Sequence, residues 1–373
     1  MSPAQKDGQR AERPADEPVL QVEDLTVAFP TEDGVVRAVR GMSYSVAPRE
    51  VLGIVGESGS GKSVSSMAVM GLLPRSAQVT GRILFRGEDV LRMSGRQQRG
   101  LRGRRVSMIF QDPMTAMNPV YTVGDQLAEA VRSHSAVPPK AAMARAKEML
   151  DLVGIPQAEA RLRAYPHEFS GGMRQRAMIA MAIINDPDVI IADEPTTALD
   201  VTVQAQVLDT LMSVKEAVGA AIVFITHDLG VIAQVADRTL VMYAGKPVEV
   251  GGTAEVFRKP LMPYTAGLLG STPSAEGTRA GERLRPISGS PPSLISLPRG
   301  CPFGPRCPLV RDDCRASEPQ LVHRGPAAGA GGAAGRNLPL VSPDHLGACH
   351  HSDELLAADD PTRFFRAESE VTP

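Results

Sequence analysis

The chain of 373 residues has no tryptophan, no excess of charge of either sign and no long apolar run. Its 40 lysines and arginines nearly balance its 42 aspartates and glutamates, which leaves a formal net charge of -2. Overall charge therefore gives no reason to expect binding to nucleic acid or to an anionic membrane. No apolar stretch reaches the roughly 18 residues that a membrane-spanning helix requires. Partners have to be inferred from individual sites instead.

The first 18 residues are charged, contain proline and lack the apolar core of a signal peptide. We predict that residues 1–18 are a disordered tail, because they offer few apolar side chains to offset the entropy cost of ordering. The chain is accordingly expected in the cytoplasm, where it is able to lie against a membrane protein.

One basic run is a candidate for contacts with nucleic acid or lipid phosphates. No aromatic side chains alternate with its arginines, so the pattern favours a solvated face over a nucleic-acid site, and no nucleic-acid partner is expected. The run contains Arg92, Arg96, Arg99, Arg102, Arg104 and Arg105.

Cysteine is scarce, and all four cysteines lie in the last quarter of the chain. In a reducing compartment such clustering favours metal ligation over disulfides. Four thiolates suffice for a tetrahedral zinc site or an iron-sulfur cluster, although the close Cys-x2-Cys pairs of zinc ribbons are absent. Nearby histidines keep zinc open as an alternative, since imidazole also binds it. The cysteines are Cys301, Cys307, Cys314 and Cys349, and the histidines are His345, His350 and His351.

Strand-like apolar runs alternate with amphipathic helical stretches over residues 19–258, which predicts an α/β domain. A helical subdomain is expected at about 115–185, inserted between two halves of the sheet. Residues 259–355 are richer in Pro and Gly, and we predict a small loop-rich domain that needs the cysteines as a staple. Residues 356–373 are expected to be a tail.

The segment from Gly56 to Ser63 follows a predicted strand, Glu50 to Val55, and leads into a predicted helix, Lys62 to Leu73. In that context its glycines let backbone N–H groups surround a β-phosphate, Lys62 reaches the β- and γ-phosphates, and the Ser63 hydroxyl ligates Mg²⁺. A glycine-rich surface turn is the alternative. The predicted nucleotide-binding residues here are Gly56, Glu57, Ser58, Gly59, Ser60, Gly61, Lys62 and Ser63.

Polar side chains follow three other predicted strands. Asp193 ends a buried strand and is expected to hold Mg²⁺, and Glu194 is expected to orient or deprotonate the attacking water. His227 would contact the γ-phosphate, and Gln111 would sense Mg²⁺ and the water. Each of these residues alone has a simpler explanation, as a solvated acid, a structural histidine or a loop amide.

Six motifs occur in order within residues 19–258, and this set resembles that of ABC transporter ATP-binding subunits. The resemblance implies a P-loop ATPase with a RecA-like core, an antiparallel β subdomain and a helical subdomain, acting on ATP with Mg²⁺. The motifs are Gly56 to Ser63, Phe110 to Pro113, Phe169 to Arg176, Ile191 to Pro195, Ala198 to Asp200 and Thr226 to Asp228.

The same resemblance implies that Ser170, Gly171 and Gly172 close on ATP held by a second ATPase subunit, and that Asp200 communicates across the dimer. Phe29 occupies the place of the aromatic that stacks on adenine, although it is equally suited to a core position. Met173 stands where Gln is frequent in the family, but the Ser-Gly-Gly that contacts phosphate is intact.

The sequences of residues 165–176 and 109–114 are similar to those of the family branch that serves oligopeptide and dipeptide importers. The segments around Cys301, Cys307 and Cys349 resemble the C-terminal extension of that branch, in which such cysteines are associated with a 4Fe-4S cluster. The resemblance implies a distinct ATPase partner, two membrane-spanning permease subunits, an external solute-binding protein and a peripheral position on the cytoplasmic face of the membrane. Importers of nickel, glutathione or glycosides, and soluble ABC ATPases of repair or translation, are the alternatives.

Overall fold

The structure is a computed structural model, and it describes residues 17–197, 199–272, 286–324 and 342–365, without the side chains at positions 114 and 115. Most of the predicted N-terminal tail, Ala198 and residues 366–373 therefore lie outside the described part of the chain. No helix within the described ranges is long and apolar enough to cross a membrane.

The described strands form a four-stranded sheet in the order β2-β1-β4-β5 and an eight-stranded sheet in the order β11-β12-β10-β9-β3-β8-β7-β6. The strands are β1 (Leu20–Thr31), β2 (Gly34–Val46), β3 (Val51–Val55), β4 (Gln78–Phe85), β5 (Glu88–Asp89), β6 (Val106–Ile109), β7 (Val189–Asp193), β8 (Ala221–Thr226), β9 (Arg238–Tyr243), β10 (Lys246–Gly252), β11 (Val322–His323) and β12 (Leu346–Gly347).

Some helices pack on the faces of the larger sheet, and others connect its strands in the sequence. They are α1 (Lys62–Val69), α2 (Gly95–Leu101), α3 (Pro113–Ala116), α4 (Val123–Arg132), α5 (Pro139–Leu152), α6 (Ala158–Arg161), α7 (Gly171–Ile183), α8 (Val201–Val218), α9 (Leu229–Val235), α10 (Thr253–Arg258), α11 (Pro263–Gly270), α12 (Asp312–Ala316) and α13 (Ser352–Leu356), with short 3-10 turns at Val90–Arg92, Pro166–Glu168, Gly304–Arg306 and Pro361–Phe365.

Five neighbouring strands of the larger sheet run parallel, in the order β9-β3-β8-β7-β6, with β6 at the edge. Every residue of β3, β6, β7 and β8 is buried, because helices and the smaller sheet cover both faces. The carboxyl ends of parallel strands share one edge of the sheet, so the loops that follow β3, β6, β7 and β8 meet there.

Two apolar cores lie on opposite faces of this parallel sheet. One contains the inward side chains of β1, β2 and β4, and the other contains those of α4, α5, α7 and α8. Helices α3 to α7 all fall between β6 and β7 in the chain. The α/β fold expected from the alternation of strands and helices is confirmed by this layered architecture.

Helix α1 ends earlier than the sequence predicts. It begins at Lys62 but ends at Val69, instead of continuing to Leu73. Gly71 adopts a left-handed conformation with φ of 59°, and the Leu72 N–H returns to the Met67 carbonyl at 2.8 Å. The glycine therefore ends the helix before Pro74 is reached.

The C-terminal extension is joined to the ATPase-like sheet by strand pairing. Strand β12 pairs with β10, and β11 pairs with β12, so the sheet continues across the predicted boundary at residue 258. The cysteines and Phe303 belong to the same apolar core as α7 and α8. The part of the extension that the structure describes thus shares its core with the larger domain.

Candidate nucleotide site and cysteine pocket

The loop between β3 and α1 passes close to neighbouring backbone. Gly61 precedes α1 with φ of 101°, and a Cβ on it would collide with the carbonyl oxygen of Ala38. A Cβ on Gly56 would collide in the same way with the carbonyl oxygen of Met242. Only glycine fits at these two positions, and the loop leads into the N-terminal end of α1, where free N–H groups favour an anion such as phosphate.

Lys62 is 4% exposed and lies inside this loop. Its Nζ donates hydrogen bonds to the carbonyl oxygens of Gly56, at 2.7 Å, and Glu57, at 3.0 Å. Burial lowers the pKa of Lys62, and the nearby carboxylates of Glu194 and Asp193 oppose that effect. The ammonium group is thus held at the centre of the loop by its backbone.

Ser63 and Asp193 meet at the carboxyl edge of the sheet. The Ser63 hydroxyl donates to Oδ1 of Asp193 at 3.0 Å. Burial raises the pKa of Asp193, and the hydrogen bond from Ser63 partly lowers it again. A hydroxyl beside a desolvated carboxylate fits the oxygen ligands that Mg²⁺ prefers. Ser63 and Asp193 are thus suited to hold the metal, and the role of Gln111 as a third Mg²⁺ contact stays a prediction.

The carboxylate of Glu194, which follows β7, lies beside polar side chains that follow β6 and β8. Its Oε2 accepts from Nε2 of Gln111 at 3.2 Å and from Oγ1 of Thr197 at 2.9 Å, and Nδ1 of His227 lies 3.4 Å away. The backbone at Glu194 is left-handed, with φ of 48°. That conformation is unusual for a residue with a side chain, and such strain gathers at functional sites.

The structure therefore brings Lys62, Ser63, Asp193, Glu194, Gln111 and His227 to one edge of the sheet, as parallel strand topology requires. Thr197 also contacts Glu194, but the sequence analysis did not predict it. A hydroxyl residue three positions after Glu194 is the local feature that could have indicated this contact.

The Ser-Gly-Gly residues lie on a different element. Ser170 caps α7, with its hydroxyl accepting from the Met173 N–H at 3.3 Å, and it is exposed together with Gly171. Asp200 caps α8 through the Val203 N–H at 3.0 Å. Among the residues described, no hydrogen bond or ion pair joins these groups to the cluster around Glu194. Phe29 is half-buried against the core beneath the smaller sheet.

The four cysteines line one cavity, together with Met262, Phe303 and His351. All four are free, and the Cys301 N–H donates to the Cys314 carbonyl at 2.7 Å. Burial raises the pKa of Cys307 and of Cys349 to about 12, so the neutral thiols are favoured unless a cation compensates. The structure therefore places the four predicted ligands around one cavity.

The histidines near Cys349 have other partners. His345 is buried away from solvent, and its Nε2 lies 2.8 Å from Glu249. His351 lies 3.0 Å from Asp313, and the ligand atoms of Asp313, Cys314 and His351 are within 4.8 Å of one another. Of the three histidines, His351 is therefore the one placed where it could serve as an additional metal ligand.

The arginine run is partly tied to the protein. Arg102 donates to the Gly71 carbonyl at 2.7 Å, and Arg105 lies 2.7 Å from Asp188. Ser94 caps the intervening helix α2. Arg102 and Arg105 are thus bound to the protein, whereas Arg92, Arg96, Arg99 and Arg104 are exposed.

One contact of the phosphate loop was missed from the sequence. Arg306, between two of the cysteines, forms a fork on Glu57 with distances of 2.7 and 2.9 Å. The Glu57 N–H also donates to the Tyr264 hydroxyl at 2.8 Å. The partners are more than 200 positions apart, so no local pattern signals the pairing.

Comparison with protein families identifies two matching regions. The model described as "ABC transporter" matches residues 39–197, and the one described as "Oligopeptide/dipeptide transporter, C-terminal region" matches residues 248–314. The "Dipeptide transport ATP-binding protein DppD" of Bacillus subtilis (strain 168) is 56% identical over 294 residues, which cover 78% of this chain and 87% of that protein. The chain belongs to the ATP-binding proteins of oligopeptide and dipeptide ABC transporters.

Other members of the family extend the match. The "Oligopeptide transport ATP-binding protein OppD" of Salmonella typhimurium is 47% identical, with 91% of this chain and 95% of that protein covered. OppD of Mycobacterium tuberculosis is 51% identical over 95% of this chain, but the chain spans only 55% of that relative's length.

Solved structures of other proteins have a fold similar to that of this chain. The dimeric, ADP-bound and phosphate-bound ATP-binding cassette MJ0796 has a TM-score of 0.56 at 22% identity, with 63% of this chain and 98% of that one covered. The cbiO1 protein of Clostridium perfringens has a TM-score of 0.56 at 27% identity, with 65% and 91% covered. The predicted ABC ATPase fold is confirmed.

Proposed function

We propose that the chain binds ATP with Mg²⁺ and hydrolyses it at the cluster around Glu194. The observation that carries this proposal is the convergence of Gln111, Thr197 and His227 on one Glu194 oxygen, beside a lysine held inside a phosphate loop. A carboxylate oriented from several sides is suited to position a water, because its own freedom is already restricted.

Each residue then has a defined task. The loop N–H groups and Lys62 bind the phosphates, and Ser63 with Asp193 holds the metal. Mg²⁺, when bound, neutralises charge on the phosphate oxygens. Glu194 accepts a hydrogen bond from the attacking water, Gln111 keeps that carboxylate in place, and His227 approaches the γ-phosphate.

The second half of each site comes from a partner in this proposal. Ser170, Gly171 and Gly172 stand at the exposed N-terminal end of α7, where backbone N–H groups and the helix dipole favour an anion. One such set exists per chain, so a dimer is required for two complete sites. Asp200 would communicate across that dimer, Phe29 would stack on adenine, and the partner would be a distinct but related ATPase.

The Glu194→Gln variant tests the catalytic assignment. We expect ATP turnover to fall by about 10²-fold or more while ATP binding persists, because general-base contributions are of that size. Phosphate release measures turnover and calorimetry measures ATP binding. In size-exclusion chromatography with ATP and the partner ATPase, the variant should accumulate as dimers. Glu148→Gln, at an exposed carboxylate on α5, is the matched control. Normal turnover in Glu194→Gln would sink the assignment.

The work done by hydrolysis is proposed to be peptide import. The names of the relatives, oligopeptide and dipeptide transport ATP-binding proteins, support this. The chain would dock on two permease subunits at the cytoplasmic face of the membrane, fed by an external solute-binding protein. Importers of nickel, glutathione or glycosides and soluble ABC ATPases are the alternatives. Co-purification of permeases excludes the soluble class, and the solute carried by the binding protein identifies the cargo.

The cysteine pocket is proposed to hold a 4Fe-4S cluster, with Zn²⁺ as the alternative. Cys301, Cys307, Cys314 and Cys349 would be the ligands, and the position of all four around one cavity, with Cys301, Cys314 and Cys349 buried, supports this. A bound cluster would cross-link the extension, which has little regular structure of its own. Iron and zinc counted per chain decide between the metals. Cys314→Ser should lower the bound metal, and metal-free wild-type protein would contradict both assignments.

A further inference from the structure

Arg306 connects the cysteine segment to the phosphate loop. It ends the 3-10 turn Gly304–Arg306, directly before Cys307, and its side chain is 5% exposed. Two of its nitrogens donate to the two oxygens of Glu57, at 2.7 and 2.9 Å. Glu57 is the second residue of the phosphate loop, so a side chain of the extension is bonded directly to that loop. Bidentate, desolvated pairs of this kind fix geometry as well as charge.

Aromatic side chains fill the space between the two sites. The rings of Phe303 and Tyr243 pack edge to face at 5.3 Å, and those of Phe303 and Tyr264 at 5.5 Å. Phe303 is fully buried and also lines the cysteine cavity. The Tyr264 hydroxyl accepts from the Glu57 N–H at 2.8 Å. A shift of the segment around Cys301 would therefore be transmitted to the loop through packed rings.

Glu57 is held at every polar group. Its carboxylate accepts from Arg306, its N–H donates to Tyr264, and its carbonyl accepts from Lys62 at 3.0 Å. A carboxylate beside a phosphate site repels the anion, and the guanidinium cancels that charge. The hydrogen bonds that Arg306 donates to Glu57 raise the pKa of Arg306, which keeps the guanidinium charged.

We propose that Arg306 is a positioning residue of the nucleotide site, which couples the order of the cysteine segment to the ATP affinity of the phosphate loop. The inference rests on the proposed ATP-binding function. It adds a residue that lies outside the ABC motifs, and it assigns the extension a role in nucleotide binding. Because coupling is reciprocal, ATP should in turn stabilise the cysteine segment.

ATP binding to the full chain, measured by isothermal titration calorimetry with Mg²⁺, tests the first half. Arg306→Gln should weaken binding by about tenfold, since it removes hydrogen bonds between charged groups. Arg306→Lys, which retains the charge, should recover part of the loss. Arg315→Gln, at an exposed arginine of the same extension, is the matched control and should bind like wild type.

If Arg306→Gln does not fold, Glu57→Gln provides a second route, because it breaks the same fork but leaves the contacts of Arg306 with Tyr243 and Ser288 in place. It should also weaken ATP binding, and unchanged affinity in Glu57→Gln would overturn the proposal. The double variant should lose little more than Arg306→Gln alone, since the two groups act as one unit. Additive losses, or unchanged affinity in Arg306→Gln, would overturn the proposal while leaving ATP binding intact. Failure of the wild-type chain to bind ATP would refute the proposed function itself.

Hydrogen exchange distinguishes coupling from simple structural support. ATP should slow amide exchange over residues 301–314 in the wild-type chain, and Arg306→Gln should abolish this ATP-dependent slowing. A residue with only a structural role would raise exchange equally with and without ATP. Retained ATP-dependent protection in Arg306→Gln therefore contradicts the proposal.

Discussion

The absence of a side chain at Gly172 allows helices α7 and α8 to pack in close contact. Gly172 is the second residue of α7, and a Cβ on it would lie 2.6 Å from Cγ1 of Val203 in α8. Its neighbour Gly171 has open space around the same position. One glycine of the Ser-Gly-Gly motif is therefore required by packing within the chain, in addition to its proposed contact with ATP.

We predict that Gly172→Ala lowers the free energy of unfolding by about 1–3 kcal/mol, because an extra methyl group is forced against a stiff β-branched side chain. Gly171→Ala should be neutral or slightly stabilising, since alanine favours the helix. Urea unfolding measures both. Val203→Ala should restore much of the loss in the Gly172→Ala background, and an absence of this rescue would show that the clash is not the cause.

At the scale of elements, β10 attaches the C-terminal extension through one buried carboxylate. Glu249 accepts from the N–H groups of Leu261, at 2.7 Å, and Met262, at 3.1 Å, and lies 2.8 Å from Nε2 of His345. The side chains of Glu249 and His345 are fully buried. Removing the carboxylate would leave several buried donors without partners, which is far more costly than losing an exposed pair.

Glu249→Ala is therefore expected to lower the free energy of unfolding by about 3 kcal/mol or more. Amide exchange at Leu261 and Met262 should rise most, because these N–H groups lose their acceptor. Glu216→Gln, in the exposed pair with Arg49, should leave stability unchanged. Equal effects of the two substitutions in urea unfolding would refute the claim that burial makes the difference.

At the scale of the whole molecule, the two sets of ATP-contacting residues proposed here belong to separate elements. The phosphate loop and Glu194 lie at the carboxyl edge of the parallel sheet, and Ser170 lies at the exposed end of α7. A change at Ser170 should therefore affect the association of subunits without affecting ATP binding by one chain.

Ser170→Asp tests this separation, because aspartate caps a helix as well as serine but adds a negative charge. We expect unchanged ATP affinity in the single chain and a dimer affinity weaker by about tenfold or more, since the charge would face a phosphate. Ser170→Asn keeps the cap without the charge and should impair dimerisation less. Calorimetry and light scattering with ATP measure the two quantities. Loss of ATP affinity in the isolated Ser170→Asp chain would contradict the separation.

Features set by residues close together in the sequence are predicted more accurately than features set by contacts between distant residues. Strand β8 and helix α8 occupy the predicted residues, because buried apolar runs and helical periodicity are local signals. The predicted end of α1 lies four residues beyond the observed one, because Gly71 ends the helix before Pro74 is reached. The order of the motifs sufficed to identify the family.

The sequence alone determined the ABC family, the phosphate loop and the set of polar residues at the strand ends, because these are written as short motifs at regular spacing. Only the tertiary structure decided how the cysteine extension is attached. The fork between Arg306 and Glu57 and the buried contacts of Glu249 join residues distant in the chain. Such contacts depend on how the strands order in the sheet and how the rings pack, which local patterns do not encode.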